Sequence, residues 1–324
     1  MRYYFAPMEG FTDAVYRNTH ARYFGNETEG TAMDRYYAPF LSPKTDLSVD
    51  PRQLRDVLPE NNVGMPVIPQ ILGKDADAFL WMTQKLADMG YQEVNLNLGC
   101  PSGTVTAKGK GAGFLQDPEA LEKYLDKIFA HSVLPISIKT RIGMRDAEEF
   151  GELLELYNQF PVKELTIHPR VGKAFYTGEV NMEVFDWAAA HSKAPVCYNG
   201  SLYTVEQVQK FISKHPNVDA IMLGRGLLAD PALVRKLHGG KPLEKQELRA
   251  FLDEIYEQYV EKFGSRQSAM RRMKGVWGYV LCMFADHEKL EKQLRKLRDP
   301  AEYGAVVDAI FQKLELRQDA EDVK

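Results

Sequence analysis

The 324-residue chain is poor in cysteine. It has only three, Cys100, Cys197 and Cys282, which are far apart and form no CxxC pair. An odd number at such spacing excludes a disulfide framework and argues against a cysteine zinc site, so no bound metal is expected. A reducing compartment fits, and the cytoplasm is the expected location. No apolar run approaches the roughly 18 residues that a membrane-spanning helix needs. The opening Met1–Pro7 is too short in apolar residues to read as a secretory signal. An excess of basic charge is also missing. The net charge is −4, so composition by itself gives no reason to expect a nucleic-acid partner. Low-complexity tracts and internal repeats longer than a strand–helix unit are absent as well.

What is present is an alternation. Short apolar runs lie at residues 3–6, roughly 29–32, 66–71, 93–97, 135–139, 164–167, 195–198 and 220–223. Several are rich in Val and Ile and bounded by Pro or Gly, as buried strands are. The second run is the most polar. Between the runs lie amphipathic stretches at 76–89, 148–160, 182–191 and 204–214. Asp117-Pro118 opens another, as an N-cap followed by proline at the first helical position. Eight strands alternating with helices predict a parallel α/β sheet, and the count favours a closed (βα)8 TIM barrel. After Gly239-Gly240-Lys241-Pro242 the strand signals stop. Helical patterns follow at 248–263, 268–283, 288–297 and 300–316. The expected organisation is a catalytic barrel over residues 1–240 and a small all-α domain over 241–324.

In such a barrel the chemistry sits at the carboxyl ends of the strands. Polar residues or glycines follow nearly every run: Pro7-Met8-Glu9-Gly10, Gln70, Asn97-Leu98-Gly99-Cys100-Pro101, Lys139-Thr140-Arg141, His168-Pro169-Arg170, Asn199-Gly200-Ser201 and Gly224-Arg225-Gly226. The last two turns have the character of a phosphate site, because glycines let backbone N–H groups approach phosphate oxygens. The other reading of these glycines is simple tight turning.

Lys139 ends an apolar strand, where an ammonium needs either a structural carboxylate partner or a role. One such role is stabilising negative charge at the N1–C2 edge of a reduced flavin. His168 alone reads as a structural histidine. Arg170 beside it favours a pair facing a phosphate or a polar ring.

Cys100 opens a glycine-rich loop, 101–113, that carries Lys108 and Lys110 and reads as a mobile lid touching substrate. A free thiol, with an ordinary pKa of about 8.5, still holds its proton at neutral pH and suits a general acid. A nucleophile would need a partner base. A small buried hydrophobe would be out of place in a Gly-Cys-Pro turn. Cys197 and Cys282 read as core.

These residues resemble the tRNA-dihydrouridine synthases. The resemblance is carried by Ala6-Pro7-Met8-Glu9-Gly10 with Thr12-Asp13, Asn95-Leu96-Asn97-Leu98-Gly99-Cys100-Pro101, Lys139-Thr140-Arg141, His168-Pro169-Arg170, Tyr176-Thr177-Gly178, Asn199-Gly200 and Gly224-Arg225-Gly226, in order along the chain. It implies an FMN-binding barrel, reduced by NADPH, with a C-terminal helical domain that helps hold tRNA. Hydride would pass from flavin N5 to C6 of a uracil, and Cys100 would protonate C5.

By position, Pro7, Met8, Glu9, Gln70, Lys139, His168, Asn199, Gly200, Ser201, Gly224 and Arg225 are expected cofactor contacts. Asn97 would hold the uracil edge. Arg141, Arg170, Lys108, Arg271, Arg272 and Lys274 are expected substrate contacts. Two departures stand out: Pro169 where the family usually has glycine, and Tyr198 where it often has glycine or alanine.

The helical region adds an independent signal. Between Lys262 and Arg298 ten basic residues face three acidic ones, in an otherwise acidic chain. Trp277 and Tyr279 lie beside Arg271, Arg272 and Lys274 and suggest aromatic surface near the charge. Such a stripe suits phosphate neutralisation. A solvated helix face over core aromatics is the alternative. The expected partner is tRNA, with no membrane, no obligate protein partner evident, and a monomer. Competing functions are a flavin barrel acting on a free pyrimidine or enone, and a catalytically silent RNA-binding protein.

Overall fold

In the computed structural model, residues 1–25, 33–321 and 323 are described. Among them the sheet is parallel, with nine strands: β1 (Arg2–Phe5), β2 (Arg35–Tyr37), β3 (Val67–Ile68), β4 (Gln70–Ile71), β5 (Val94–Leu98), β6 (Ile136–Arg141), β7 (Leu165–His168), β8 (Val196–Tyr198) and β9 (Ala220–Leu223). Their order is β3-β2-β1-β9-β8-β7-β6-β5-β4. The two ends of this order are one stretch of chain. β3 pairs with β2 and β4 with β5, and only Pro69 separates them. Proline has no N–H to give to a ladder, so it splits one strand in two. Counted as one, β3 and β4 make the eighth strand of a (βα)8 barrel.

The second strand lies later than its sequence signal. The run at 29–32 falls outside the described residues, and the pairing strand is Arg35–Tyr37, in register with Phe5 and Val67. Its content is one arginine and two tyrosines. Tyr36 and Tyr37 are buried, so aromatic burial replaces the aliphatic pattern that marks the other strands.

The amino ends of the strands are held by an ion network. Tyr4 donates to Glu164 at 2.9 Å, Arg35 lies 3.5 Å from both Glu93 and Glu164, and Lys163 lies 2.7 Å from Glu93. Charge is therefore paired at the end away from the expected chemistry, which is a stability role.

The chain divides into two compact units. One comprises Met1–Pro7, Arg35–Gly200 and His215–Met222, and holds nearly all of the sheet. Its helices include α2 (Pro51–Asp56), α3 (Ala76–Asp88), α4 (Gly103–Thr106), α5 (Pro118–His131), α6 (Phe150–Tyr157) and α7 (Met182–His191), each preceded by α1 (Ala14–Phe24) in chain order. Caps start them where the sequence offers them: the carboxylate of Asp117 accepts from Ala120 N at 3.1 Å at the head of α5.

The other unit comprises Met8–Asp34, Ser201–Lys214 and Leu223–Lys324. It carries α1 together with α8 (Val205–Lys214), α9 (Arg225–Ala229), α10 (Leu233–Leu237), α11 (Lys245–Phe263), α12 (Arg266–Val280), α13 (Glu288–Lys296) and α14 (Pro300–Lys313). Asp13 ties it together. It caps α1 through Tyr16 N at 3.2 Å, accepts from Tyr259 Oη at 2.9 Å, and pairs with Lys262 at 2.9 Å. No described helix is long and apolar enough to cross a membrane.

Candidate active site

The carboxyl ends of β4 to β7 bring together Gln70, Asn97, Cys100, Lys139, Arg141 and His168. The register sets the geometry: Asn97 on β5 stands opposite Lys139 on β6, and Arg141 opposite His168 on β7. Cys100 is partly exposed, whereas Cys197 and Cys282 are buried. Its turn is held from two sides. Asn97 Oδ1 accepts from Gly99 N at 3.0 Å and from Cys100 N at 2.9 Å. Arg141 Nε donates to Gly99 O at 3.0 Å.

Asn97 in turn donates to Gln70 Oε1 at 2.7 Å, and Gln70 Nε2 donates to Asn95 Oδ1 at 2.7 Å. Each amide keeps one further hydrogen for a group in the mouth.

Lys139 is half-buried, and among the described residues its ammonium has no hydrogen bond or ion pair. Burial, and after it the neighbouring Arg141 charge, push its pKa down to about 8. A structural ion pair, the alternative open in the sequence, is not what the described residues form. An unpartnered cation at the barrel mouth fits a group that becomes anionic on reduction, as a flavin does.

The three arginine and histidine side chains expected here are mostly committed to protein atoms. Arg141 is 2% exposed and also donates Nη1 to Val171 O at 2.9 Å, with its guanidinium 5.3 Å from the Tyr176 ring. Burial lowers its pKa to about 10. Arg170 donates to Gly178 O at 3.1 and 2.7 Å, and its Nη1 lies 3.1 Å from His168 Nε2. A guanidinium only donates, so His168 Nε2 accepts and the ring proton sits on Nδ1.

The loop after β7 exposes Phe175 and Tyr176, with Phe175 at φ 50°, a region that bulky residues rarely adopt. Phe175 offers its face to a neighbour, while the Tyr176 ring already meets the Arg141 guanidinium. Phe175 carries no sequence signal of its own.

The loop after Cys100 is more folded than a lid. Residues 103–106 form α4, and Gly111–Gln116 form a 3₁₀ turn with Ala112, Phe114 and Leu115 buried. Gly111 and Gly113 allow close packing. A β-carbon on Gly111 would fall 2.7 Å from Cys100 O, and one on Gly113 2.6 Å from Thr106 O. The glycines that suggest mobility in the sequence serve this packing. Lys108 is exposed, and Lys110 has its pKa lowered by burial and then by Lys108 and Lys74. Lys74 joins this lysine cluster from the turn before α3, a position that no motif marks.

Asn199 follows β8; its N–H donates to Ile167 O at 2.9 Å, and its Nδ2 donates to Met222 O at 2.8 Å. The Tyr198 departure has a visible consequence: a β-carbon on Gly200 would fall 2.0 Å from Tyr198 Oη, so this tyrosine makes glycine obligatory at 200. The Pro169 carbonyl accepts from Asn181 N at 2.8 Å, which anchors the start of α7. Pro7, half-buried, lies two residues beyond the end of β1.

The second unit holds the remaining expected residues. Met8 N donates to Thr12 Oγ1 at 2.8 Å, Met8 O accepts from Phe11 N and Thr12 N, and Glu9 is exposed on that turn. Arg225 Nη2 donates to Ser201 Oγ at 3.1 Å, and the guanidinium lies 5.4 Å from the Tyr203 ring. Gly224 precedes α9.

Arg272 donates to Gly10 O and lies 3.6 Å from Asp13. Lys274 donates to Arg295 O and Leu297 O at the end of α13. Arg271 is exposed beside an open cavity of about 510 Å³ lined also by Phe11, Phe263 and Arg272. Trp277 is not the surface ring its position suggests: it is buried, and its indole donates to Tyr303 Oη at 2.8 Å. Phe263, 37% exposed, provides an aromatic surface instead.

A parallel (βα)8 barrel whose mouth holds a partly exposed thiol and a lysine unpartnered among the described residues has the strand-end chemistry of an enzyme, and it suits a flavin-dependent oxidoreductase. Comparison with known proteins narrows this. The sequence profile described as Dihydrouridine synthase (Dus) matches residues 4–315, and the chain belongs to that family.

A probable tRNA-dihydrouridine synthase of Staphylococcus epidermidis (strain ATCC 35984) is 27% identical over 97% of this chain and 95% of its own length. The tRNA-dihydrouridine(16) synthase of Shigella flexneri is 26% identical over 96% of this chain and 98% of its own. Among solved structures, the old yellow enzyme from Trypanosoma cruzi aligns with a TM-score of 0.54 at 10% identity, over 75% of this chain and 89% of that one. That likeness is one of fold.

Proposed function

We propose that this protein reduces the C5=C6 bond of specific uridines in tRNA, with FMN as its flavin and NADPH as the reductant. The observation that carries the reading is the Cys100 turn: a partly exposed thiol, clasped by Asn97 and Arg141, beside the unpartnered Lys139. The bound flavin supplies the hydride for uracil C6.

The chain supplies orientation and the proton. Cys100 Sγ–H, partly exposed at this turn, would deliver the proton to C5 as general acid. Asn97 turns its remaining amide hydrogen to the uracil edge. As hydride adds at C6, charge builds toward the C4 oxygen, and donors near it lower the barrier. Lys139 would stabilise negative charge on a bound flavin, which Gln70 and His168 would help hold. Pro7, Met8 and Glu9 would supply backbone contacts to the cofactor. Asn199, Gly200, Ser201, Gly224 and Arg225 would hold its phosphate.

Arg141 and Arg170 brace the mouth through Gly99, Val171, Gly178 and His168, and the further N–H donors that each guanidinium carries would meet substrate. The target base must leave its stack to reach the thiol, and the exposed Phe175 and Tyr176 rings suit a displaced base. Lys108, with Lys74 and Lys110, and Arg271 would meet phosphates, and Arg272, held by Gly10 O and Asp13, would support that surface. Lys274 supports that surface by holding the end of α13. Residues 1–240 form the catalytic domain and 241–324 the tRNA-binding one, in a cytoplasmic monomer.

Nucleoside mass analysis of tRNA from cells lacking the protein tests the reading. Loss of dihydrouridine at a defined position is expected. Unchanged dihydrouridine throughout would sink it.

A further inference from the structure

Four fully or nearly fully buried polar side chains cross the barrel interior in one line. Gln70, Asn95 and Ser137 are 0% exposed, and Asn97 is 7% exposed. Their hydrogen bonds run in one direction, and the direction is forced. The backbone N–H groups of Gly99 and Cys100 can only donate, so Asn97 must turn its oxygen to them. That leaves Asn97 Nδ2 to donate to Gln70 Oε1 at 2.7 Å. Gln70 then has Nε2 toward Asn95 Oδ1 at 2.7 Å. Asn95 Nδ2 donates to Ser137 Oγ at 3.0 Å, and Ser137 passes its own hydrogen toward Val94 O at 3.5 Å. The two backbone amides at the Cys100 end fix the direction of the whole line, and the long contact to the Val94 carbonyl is compatible with it.

We infer that Asn95 and Ser137 are positioning residues for the reaction: they fix the amide orientation of Gln70 and, through it, of Asn97 and the Cys100 turn. The inference rests on the proposed role of Cys100 as proton donor. An apolar interior would fill this space without the desolvation that four buried polar groups demand. The polar line makes sense because it ends on the two backbone amides that Asn97 holds at the Cys100 turn. Gln70 keeps a second amide hydrogen that a bound flavin would take. A shift of Asn95 therefore reaches Gln70, then Asn97, then the turn that aims the thiol.

The test compares wild type, Ser137→Ala, Ser137→Thr and Asn95→Leu as purified, flavin-containing proteins. Ser137→Ala leaves Asn95 Nδ2 without its acceptor; Ser137→Thr keeps the hydroxyl. Three quantities are read: the pH profile of iodoacetamide alkylation at Cys100, the flavin absorption spectrum, and the kcat and KM for tRNA reduction. Alkylation reports Cys100 because the other two thiols are buried.

The expected result is a shifted alkylation profile and an altered flavin spectrum in Ser137→Ala and Asn95→Leu. Their kcat should fall by roughly tenfold to a hundredfold, as for losses behind a functional side chain, with KM nearly unchanged. Ser137→Thr should restore all three. A merely structural line would lower the melting temperature and leave the alkylation profile of the folded protein where it was, which overturns the inference. So does failure of both Ser137→Ala and Asn95→Leu to fold, since the line is then a determinant of the fold. A shifted profile in a protein whose wild type makes no dihydrouridine would refute the proposed function and leave the positioning line standing.

Discussion

Lys139 carries a charge that burial and the neighbouring Arg141 disfavour. In the unfolded chain its proton is held to the ordinary range near 10.5, but in the folded chain only to about 8. Below pH 8 both states are protonated, and the folded state bears the whole cost of burying the ammonium. That cost is relieved as pH rises from about 8 to 10.5, because the unfolded state then binds more protons than the folded one. Lys139→Met removes the cost. Flavin-free Lys139→Met protein should therefore melt at a higher temperature than flavin-free wild type at pH 7, and the gap should shrink toward pH 10.5. Thermal melts at constant ionic strength read this directly. Equal melting temperatures at pH 7 would mean that the ammonium is solvated after all.

Lys139 and Cys100 were both legible in the sequence, because a charge or a thiol at the end of an apolar run has no reason in packing alone. Lys74 and Phe175 were not legible. Their role comes from where separate loops bring them, and the residues around each one carry no pattern.

At the scale of elements, glycine spacing is ambiguous until the packing is known. The run Lys108-Gly109-Lys110-Gly111-Ala112-Gly113 reads as flexible, yet two of its glycines exist to let the chain pack against Cys100 and Thr106. Gly113→Ala should destabilise the protein by about 1–3 kcal/mol, the usual cost of overpacking a tight site. Chemical denaturation measures it, and a change of no more than about 0.5 kcal/mol would contradict the packing argument.

Helix boundaries were readable where caps occur, as at Asp117-Pro118 and at α7, whose Asn181 cap accepts from Val184 N at 3.0 Å. The second strand was not readable, since two buried tyrosines after an arginine lack the aliphatic signature. The break at Pro69 was hidden for a different reason. The apolar run continues through it, and only the ladder reveals that one strand serves two partners.

For the molecule as a whole, the net charge of −4 conceals a local excess of basic residues between Lys262 and Arg298. The structure separates their tasks. Arg272 and Lys262 pair with Asp13, and Lys274 holds helix-end carbonyls, whereas Arg271 is exposed beside the Phe263 ring. Arg271→Ala should weaken tRNA binding and reduce the slope of log affinity against log salt by about 1, the signature of one lost phosphate contact. A titration over a salt series reads it, and an unchanged slope would remove Arg271 from the RNA surface.

The barrel architecture was legible because alternation and strand-end polarity are spread over the whole chain. The partition of the helical unit was not, since it gathers segments from three separate stretches.

The most direct measurement is made on Cys100→Ala with purified components: flavin absorbance, and dihydrouridine formed in tRNA under NADPH. The mutant should retain its yellow colour and its tRNA binding while dihydrouridine formation falls by about two orders of magnitude or more, the scale of a lost general acid. Turnover at the wild-type rate would contradict the assignment of the proton to this thiol.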